Sequence, residues 1–289
     1  MVISKCDAYD YLDNVRPNLE KLTTNYYDTF SITNKFTGYF SDITVGEFFN
    51  TLSSNSCDGT AILSGLDKTA RQKDESGSSE TGEETMQNDV TNPEDLTAGT
   101  STIEGKRGSE NIGIAVFDDD KLCGELTAME TICHLLINND IDSCIVSINN
   151  PFKDNKENPE ELIDLSLIPS KKSKVSVKIE NGIPHISVKI NAQASILTLE
   201  NNINYEQNEV LEAFSDSTKD YLEKQFINYF NKISKEYKID IDCFCNKALA
   251  YFPTEKEWEE YNWSEKIMNA EFDIDVNINT ISSMLLTKT

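Results

Sequence analysis

The apolar positions of this chain change period several times, and each change marks an element. In "IGIAVF", Ile112, Ile114 and Val116 alternate onto one strand face. A two-residue loop at Asp119–Asp120 then sets Phe117 opposite Leu122 and Asp118 opposite Lys121. Thr127 followed by Glu130 is a capping-box pattern, and the helix it opens turns Met129, Ile132, Leu135 and Leu136 inward. "DSCIVSIN" predicts another short strand. In "VSVKIENGIPHISVKINAQASI", a turn at Asn181–Gly182 pairs Val177 with Ile186 and Val175 with Val188, apolar on one face. Ile179 then faces Pro184, at a position where the ladder loses no amide.

The period becomes helical in "NEVLEAFSDSTKDYLEKQFINYFNKISKEY". Val210, Phe214, Tyr221, Leu222, Phe226, Tyr229, Phe230, Ile233 and Tyr237 make a broad apolar stripe there, read as core. "NKALAYF" is a shorter helix ending before Pro253. After "WEEYNW" the sequence returns to alternation at Phe272, Ile274, Val276, Ile278 and Thr280. Near the start, Tyr9, Leu12, Leu19, Leu22 and Tyr26 suggest helical turns broken at Pro17. Val45, Phe48, Phe49 and Leu52 share one helix face behind Thr44 as N-cap, and "GTAILSGL" reads as a buried strand. Interleaved helices and hairpins predict an α+β fold, with antiparallel or mixed sheets packed on a long amphipathic helix and shorter helices.

Composition divides the chain into residues 1–66, 67–111 and 112–289. The middle segment is rich in Ser, Thr, Gly and Glu and lacks aromatic residues, so it is expected to be a disordered acidic linker. A formal charge of −24 disfavours nucleic acid and anionic lipid as partners. The seven cysteines (6, 57, 123, 133, 144, 243 and 245) form no CxxC pair, and neither His134 nor His185 has a ligand partner at metal-site spacing. The thiols read as small core residues, with no disulfide framework. No stretch reaches the roughly 18 apolar residues of a membrane span, and "MVISKC" has neither a signal core nor a lipid-attachment context.

The conspicuous candidate for chemistry is "AVFDDDKLCGELTAMET", where Asp118, Asp119 and Asp120 are consecutive. On an exposed hairpin tip they lack the burial or charged neighbour that splits catalytic carboxylate pKa values. A calcium loop counted from Asp118 would need Gly at the sixth position and Glu at the twelfth, where Cys123 and Met129 stand. The expectation is therefore no catalytic, cofactor-binding or metal-binding residue, no cofactor, and no enzyme.

Several of these stretches together resemble the Ger(x)C family of spore-germination lipoproteins, the C subunits of nutrient germinant receptors. "GIAVFDDDKLCGEL" with "METICHLL" is similar to a family segment and its following helix. "VKIENGIPHISVKINAQASI" is similar to its long hairpin, and "IDIDCFCNKALAYFP" with the later Trp residues to its carboxy-terminal motifs. The resemblance is firm over 112–289, the C-terminal domain. It is weaker over 1–66, where "VISKCDAYDYLD" looks like a remnant of the family's middle domain. Glu125 stands where the family has Trp, and Cys243 and Cys245 stand in the places of two glycines.

The resemblance implies a non-enzymatic receptor component beside integral membrane A and B subunits, on the outer face of the inner spore membrane. Membrane association would come through those partners or through a missing lipid anchor, because the family's signal peptide, lipid-bearing Cys and first domain are expected to be absent here. Two other readings stand beside it: an extracytoplasmic module for a small solute or cation, and an inactive truncated paralogue.

Overall fold

The computed structural model describes residues 1–15, 23–53, 57–66, 95–100, 109–152, 162–198, 204–205 and 207–281. The expected break at Pro17, with Leu19 and Leu22, lies outside them, as do 67–94 and 101–108 of the expected linker.

Two four-stranded sheets organise the chain. The first holds β1 (Val2–Ser4), β2 (Thr60–Leu66), β3 (Ser109–Asp118) and β4 (Lys121–Leu126), in that order. β1 runs parallel to β2, and the other pairs are antiparallel. The second holds β5 (Cys144–Asn149), β6 (Leu162–Glu180), β7 (Ile183–Ile196) and β8 (Glu271–Ile281), with β7 and β8 parallel. The architecture is mixed α+β.

Both hairpins take the register that their sequences predict. Phe117 faces Leu122 and Asp118 faces Lys121. In the second, Val175, Val177 and Ile179 face Val188, Ile186 and Pro184. Asn181 (φ 53°) and Gly182 (φ 80°) both occupy the left-handed region, which a tight hairpin turn needs to match strand twist. Pro184 sits one residue before β8 begins to pair, at His185, so its missing amide breaks no ladder.

β3 departs from the predicted alternation. Ile114 and Val116 enter the main core, whereas Ile112 packs with Ala115 and Phe117 on the other face. Gly113 (φ +87°) causes the switch, since its backbone lies in the left-handed region. A Cβ there would stand 2.2 Å from the Leu126 carbonyl oxygen, so only glycine fits.

Helix α5 (Ala128–Asn138) begins with a complete capping box between Thr127 and Glu130. The long helix α6 (Asn208–Asn231) lies against β8 and continues into a π-helical turn, Lys232–Tyr237. It buries Val210, Phe214, Leu222, Phe226, Tyr229 and Phe230, while Tyr221 and Tyr237 are half-buried. Phe230 stacks on Phe272 of β8 with ring centroids 4.3 Å apart. Each such side chain contributes about 2 kcal/mol of apolar burial.

The amino-terminal helices are α1 (Ala8–Asn14), α2 (Thr23–Asp28), α3 (Phe30–Thr37) and α4 (Val45–Ser53). Here the predicted faces are only half right. Thr44 and Glu47 do cap α4 reciprocally, and Phe48 is buried. Val45 and Phe49 are exposed, as are Tyr9 and Leu12 on α1, where Tyr11 and Val15 face inward instead. The residue 111/112 division does not separate two sheets, because β2 and β3 share one ladder. Within the expected linker, the amide of Ala98 bonds the carbonyl of Ile112, and Ala98 is fully buried. That short stretch therefore packs on the sheet.

Candidate functional site

The segment "IDIDCFC", 239–245, follows the π-helical turn and carries two carboxylates inward. Asp240 accepts hydrogen bonds from the amides of Phe244 (3.0 Å) and Cys245 (2.8 Å) and from Trp263 Nε1 (2.9 Å). Two of these donors are the amides that open α7 (Cys245–Ala248), and the third comes from α9 (Trp263–Lys266), which follows α8 (Glu255–Tyr261). One carboxylate thus fastens the loop to α7 and α9.

Asp242 points the other way. Its Oδ1 accepts from His134 Nδ1 (2.8 Å) and Asn138 Nδ2 (2.9 Å), and its Oδ2 from the Tyr229 hydroxyl (2.7 Å). His134 and Asn138 lie one turn apart on α5, and Tyr229 comes from α6. The group joins the loop to α6 just before it and to α5 about a hundred residues earlier. A buried carboxylate without partners is costly, and here every oxygen is occupied.

The amino-terminal segment reaches the same loop. Cys57 and Cys243 form a disulfide across 186 residues, with Cα atoms 4.9 Å apart. This corrects the reading of no disulfide: both cysteines are unremarkable in sequence, and nothing local pairs them. The Asp240 amide donates to Asp58 Oδ2 (2.6 Å), and the Asp58 amide donates to the Asp240 carbonyl (3.2 Å). Cys243 adopts φ +52°, the backbone region that favours glycine. Cys245 is fully buried, with Sγ 3.6 Å from Cys57 Sγ.

The charges that act on the carboxylates of this junction are negative. Asp58 is raised to about 6, chiefly by burial, with the Asp240 amide lowering it and Asp118 and Asp119 adding to the rise. Burial likewise lifts Asp240 to about 7, opposed by its amide donors. The Cys123 thiol is pushed up to about 11 by burial, then by Asp118 and Asp58. The Tyr229 hydroxyl rises by burial and by Asp242.

The aspartate run thus forms the exposed hairpin tip that the sequence predicts, with Asp119 at φ +52°. It does have a charged neighbour, contrary to expectation: Asp58, brought by the preceding strand. Among the described residues, no group of three or more His, Cys, Asp or Glu is placed to hold a metal ion. The dyad of Asp242 and His134 is sealed inside the core, and its geometry serves to lock helices.

A cleft of about 490 Å³ opens beside this region, lined by Leu249, Phe252, Glu255, Trp258, Glu259 and Trp263. Trp258 stacks on Trp263 at 5.7 Å, so its wall is aromatic and its rim acidic. The indole N–H of Trp263 faces away, into Asp240. In the sequence this region is marked by "NKALAYF" and "WEEYNW". His134 and Asp242 stand in stretches that carry the family resemblance and Tyr229 in the predicted core stripe, but no local pattern joins them to one another or marks Asp58.

A family model described as "Spore germination B3/GerAC like, C-terminal" matches residues 112–284. A solved structure titled "Crystal Structure of the GerBC protein" superposes with a TM-score of 0.61 at 14% identity, covering 96% of this chain and 67% of that one. No curated protein matches the sequence.

Proposed function

The chain belongs to the spore germination B3/GerAC-like family, and from that premise we propose that it is a non-enzymatic component of a germinant receptor complex. It acts in nutrient-triggered germination through protein–protein contacts, beside integral membrane A and B subunits at the outer face of the inner spore membrane. The observation that carries the reading is the family match over 112–284, with the GerBC-like fold beneath it. Residues 1–66 are proposed as part of the family's middle domain, sharing a sheet with the C-terminal one.

The surface supports contact as the mode of action. Three helices expose large apolar pairs one turn apart: Tyr9 and Leu12, Ile32 and Phe36, Val45 and Phe49. Side chains patterned as a core face but left in solvent suit a partner surface. No helix among the described residues is long and apolar enough to cross a membrane, so attachment is assigned to partners or to a lipid anchor.

Affinity purification from spore inner membranes tests this. The multi-span A and B subunits are expected to co-purify, and Phe36→Ser with Phe49→Ser should reduce their recovery without lowering the melting temperature. Recovery of neither subunit overturns the reading. The acidic aromatic cleft favours the second reading, a small-solute or cation module. Titration calorimetry with amino acids, sugars and Ca²⁺ separates the two, because a receptor component acting by contact gives no heat with any of them.

A further inference from the structure

Three cysteine sulfurs meet where the amino-terminal segment joins the carboxylate loop. Cys57 Sγ is bonded to Cys243 and lies 3.6 Å from Cys245 Sγ, which is sulfur–sulfur contact distance. Cys243 and Cys245 are separated only by Phe244, whose side chain is buried on the other side of the loop. Asn246 Nδ2 also donates to Cys57 Sγ (3.5 Å), holding that sulfur between its two possible partners. We propose that Cys57, Cys243 and Cys245 form a two-position disulfide relay, in which the bridge from Cys57 moves between Cys243 and Cys245.

The step balances without an external oxidant. Cys245 gives its thiol proton to the Asp240 carboxylate, with which it is hydrogen-bonded. The thiolate attacks Cys57 Sγ, and a Cys57–Cys245 bond forms as the Cys57–Cys243 bond breaks. The electron pair leaves on Cys243 Sγ, which takes up a proton. One disulfide and one thiol are present before and after, and nothing is oxidised or reduced. Either bridge keeps the amino-terminal segment tied to the loop. Only the second releases Cys243, the loop residue held at φ +52°.

The surroundings set the speed. Burial, then Asp240 and Asp58, raise the Cys245 thiol far above its ordinary range. Asp242 on the same loop, and Asp118 and Asp119 from the β3–β4 tip, add negative charge around those two carboxylates. Exchange at neutral pH is therefore slower than the minutes-to-hours range of uncatalysed disulfide rearrangement at an ordinary thiol. It should accelerate about tenfold per pH unit while thiolate is scarce.

Bridge mapping tests the relay directly. The native protein is held at pH 8.5 with a trace of reduced glutathione, quenched in acid, alkylated and digested with chymotrypsin. Cleavage after Phe244 places Cys243 and Cys245 on different peptides. Both Cys57–Cys243 and Cys57–Cys245 peptides are expected. Cys243→Ser should oxidise to Cys57–Cys245, while Cys245→Ser retains Cys57–Cys243 alone. Finding only Cys57–Cys243 in the wild type after a day overturns the proposal, whatever the variants do. So does equal bridging of Cys57 to Cys6 or Cys123, which marks scrambling through unfolded chains.

Discussion

Cys243 holds a left-handed backbone that a glycine would adopt without penalty, and does so while bridged to Cys57. A non-glycine residue pays roughly 1–2 kcal/mol there. Two ways of removing the bridge should consequently differ. Cys57→Ser with Cys243→Ser loses the cross-link and keeps the strain; Cys57→Ser with Cys243→Gly loses the cross-link alone. Urea unfolding should find the glycine pair more stable by about 1 kcal/mol. At Asp58 the prediction concerns pH. Its folded pKa of about 6 lies above the ordinary 3.8, so the native state binds the proton more tightly. That contribution is fully present below about pH 4 and is lost as pH rises through 6. Asp58→Asn keeps an acceptor for the Asp240 amide, and should match wild type near pH 3.5 yet exceed it at pH 8 by on the order of 1–2 kcal/mol. Melting curves at the two pH values check this. Little at this scale was legible in the sequence. Cys57 and Cys243, or His134 and Asp242, meet only after folding, and no local pattern announces a pairing across a hundred residues or more.

Elements were far more legible, for a physical reason. A hairpin with an Asn-Gly turn has one register that puts its apolar residues on one face, and the β6–β7 ladder adopts it. The capping box at Thr127 and the stripe of α6 were equally readable, because short-range spacing decides them. The amino-terminal helices were not. Their apolar residues exceed what one sheet face can cover, and spacing does not say which turn is left outside, so Tyr9 and Leu12 are exposed while Tyr11 is buried. Ile112 failed through a single glycine, Gly113, whose rotation no alternation pattern anticipates. The β3–β4 tip carries its own prediction. Replacing Asp119–Asp120 by Asn-Gly suits the left-handed backbone at 119 and removes two of the charges at this tip. The fold should be unchanged by circular dichroism, the melting temperature equal or higher, and the Asp58 titration shifted downward.

The whole molecule is a strongly charged body, at −24 with an isoelectric point near 4.4. Self-repulsion at this charge opposes compaction, and it is long-ranged only when salt is low. Raising NaCl from 10 mM to 0.5 M should increase the melting temperature by several degrees, read by differential scanning fluorimetry. A fall would mean that the described ion pairs, such as Lys232–Glu130 and Lys5–Glu125, outweigh the repulsion. The fold class was readable at this scale from the interleaving of strands and helices, whereas the pairing of β2 with β3 from either side of residues 67–108 was not. Strand pairing between β2 and β3 depends on what lies between them, and that stretch is compositionally featureless.

The bridge between Cys57 and Cys243 also closes a covalent ring that contains everything from Asp58 to Asp242, including the whole acidic Ser/Gly-rich stretch. A protease that cuts the chain once inside that ring separates nothing. The clipped molecule runs as one band without reductant and as two with it, and it keeps both sheets in register across the cut. In a protein bearing so long a featureless insert, the ring makes a backbone break survivable.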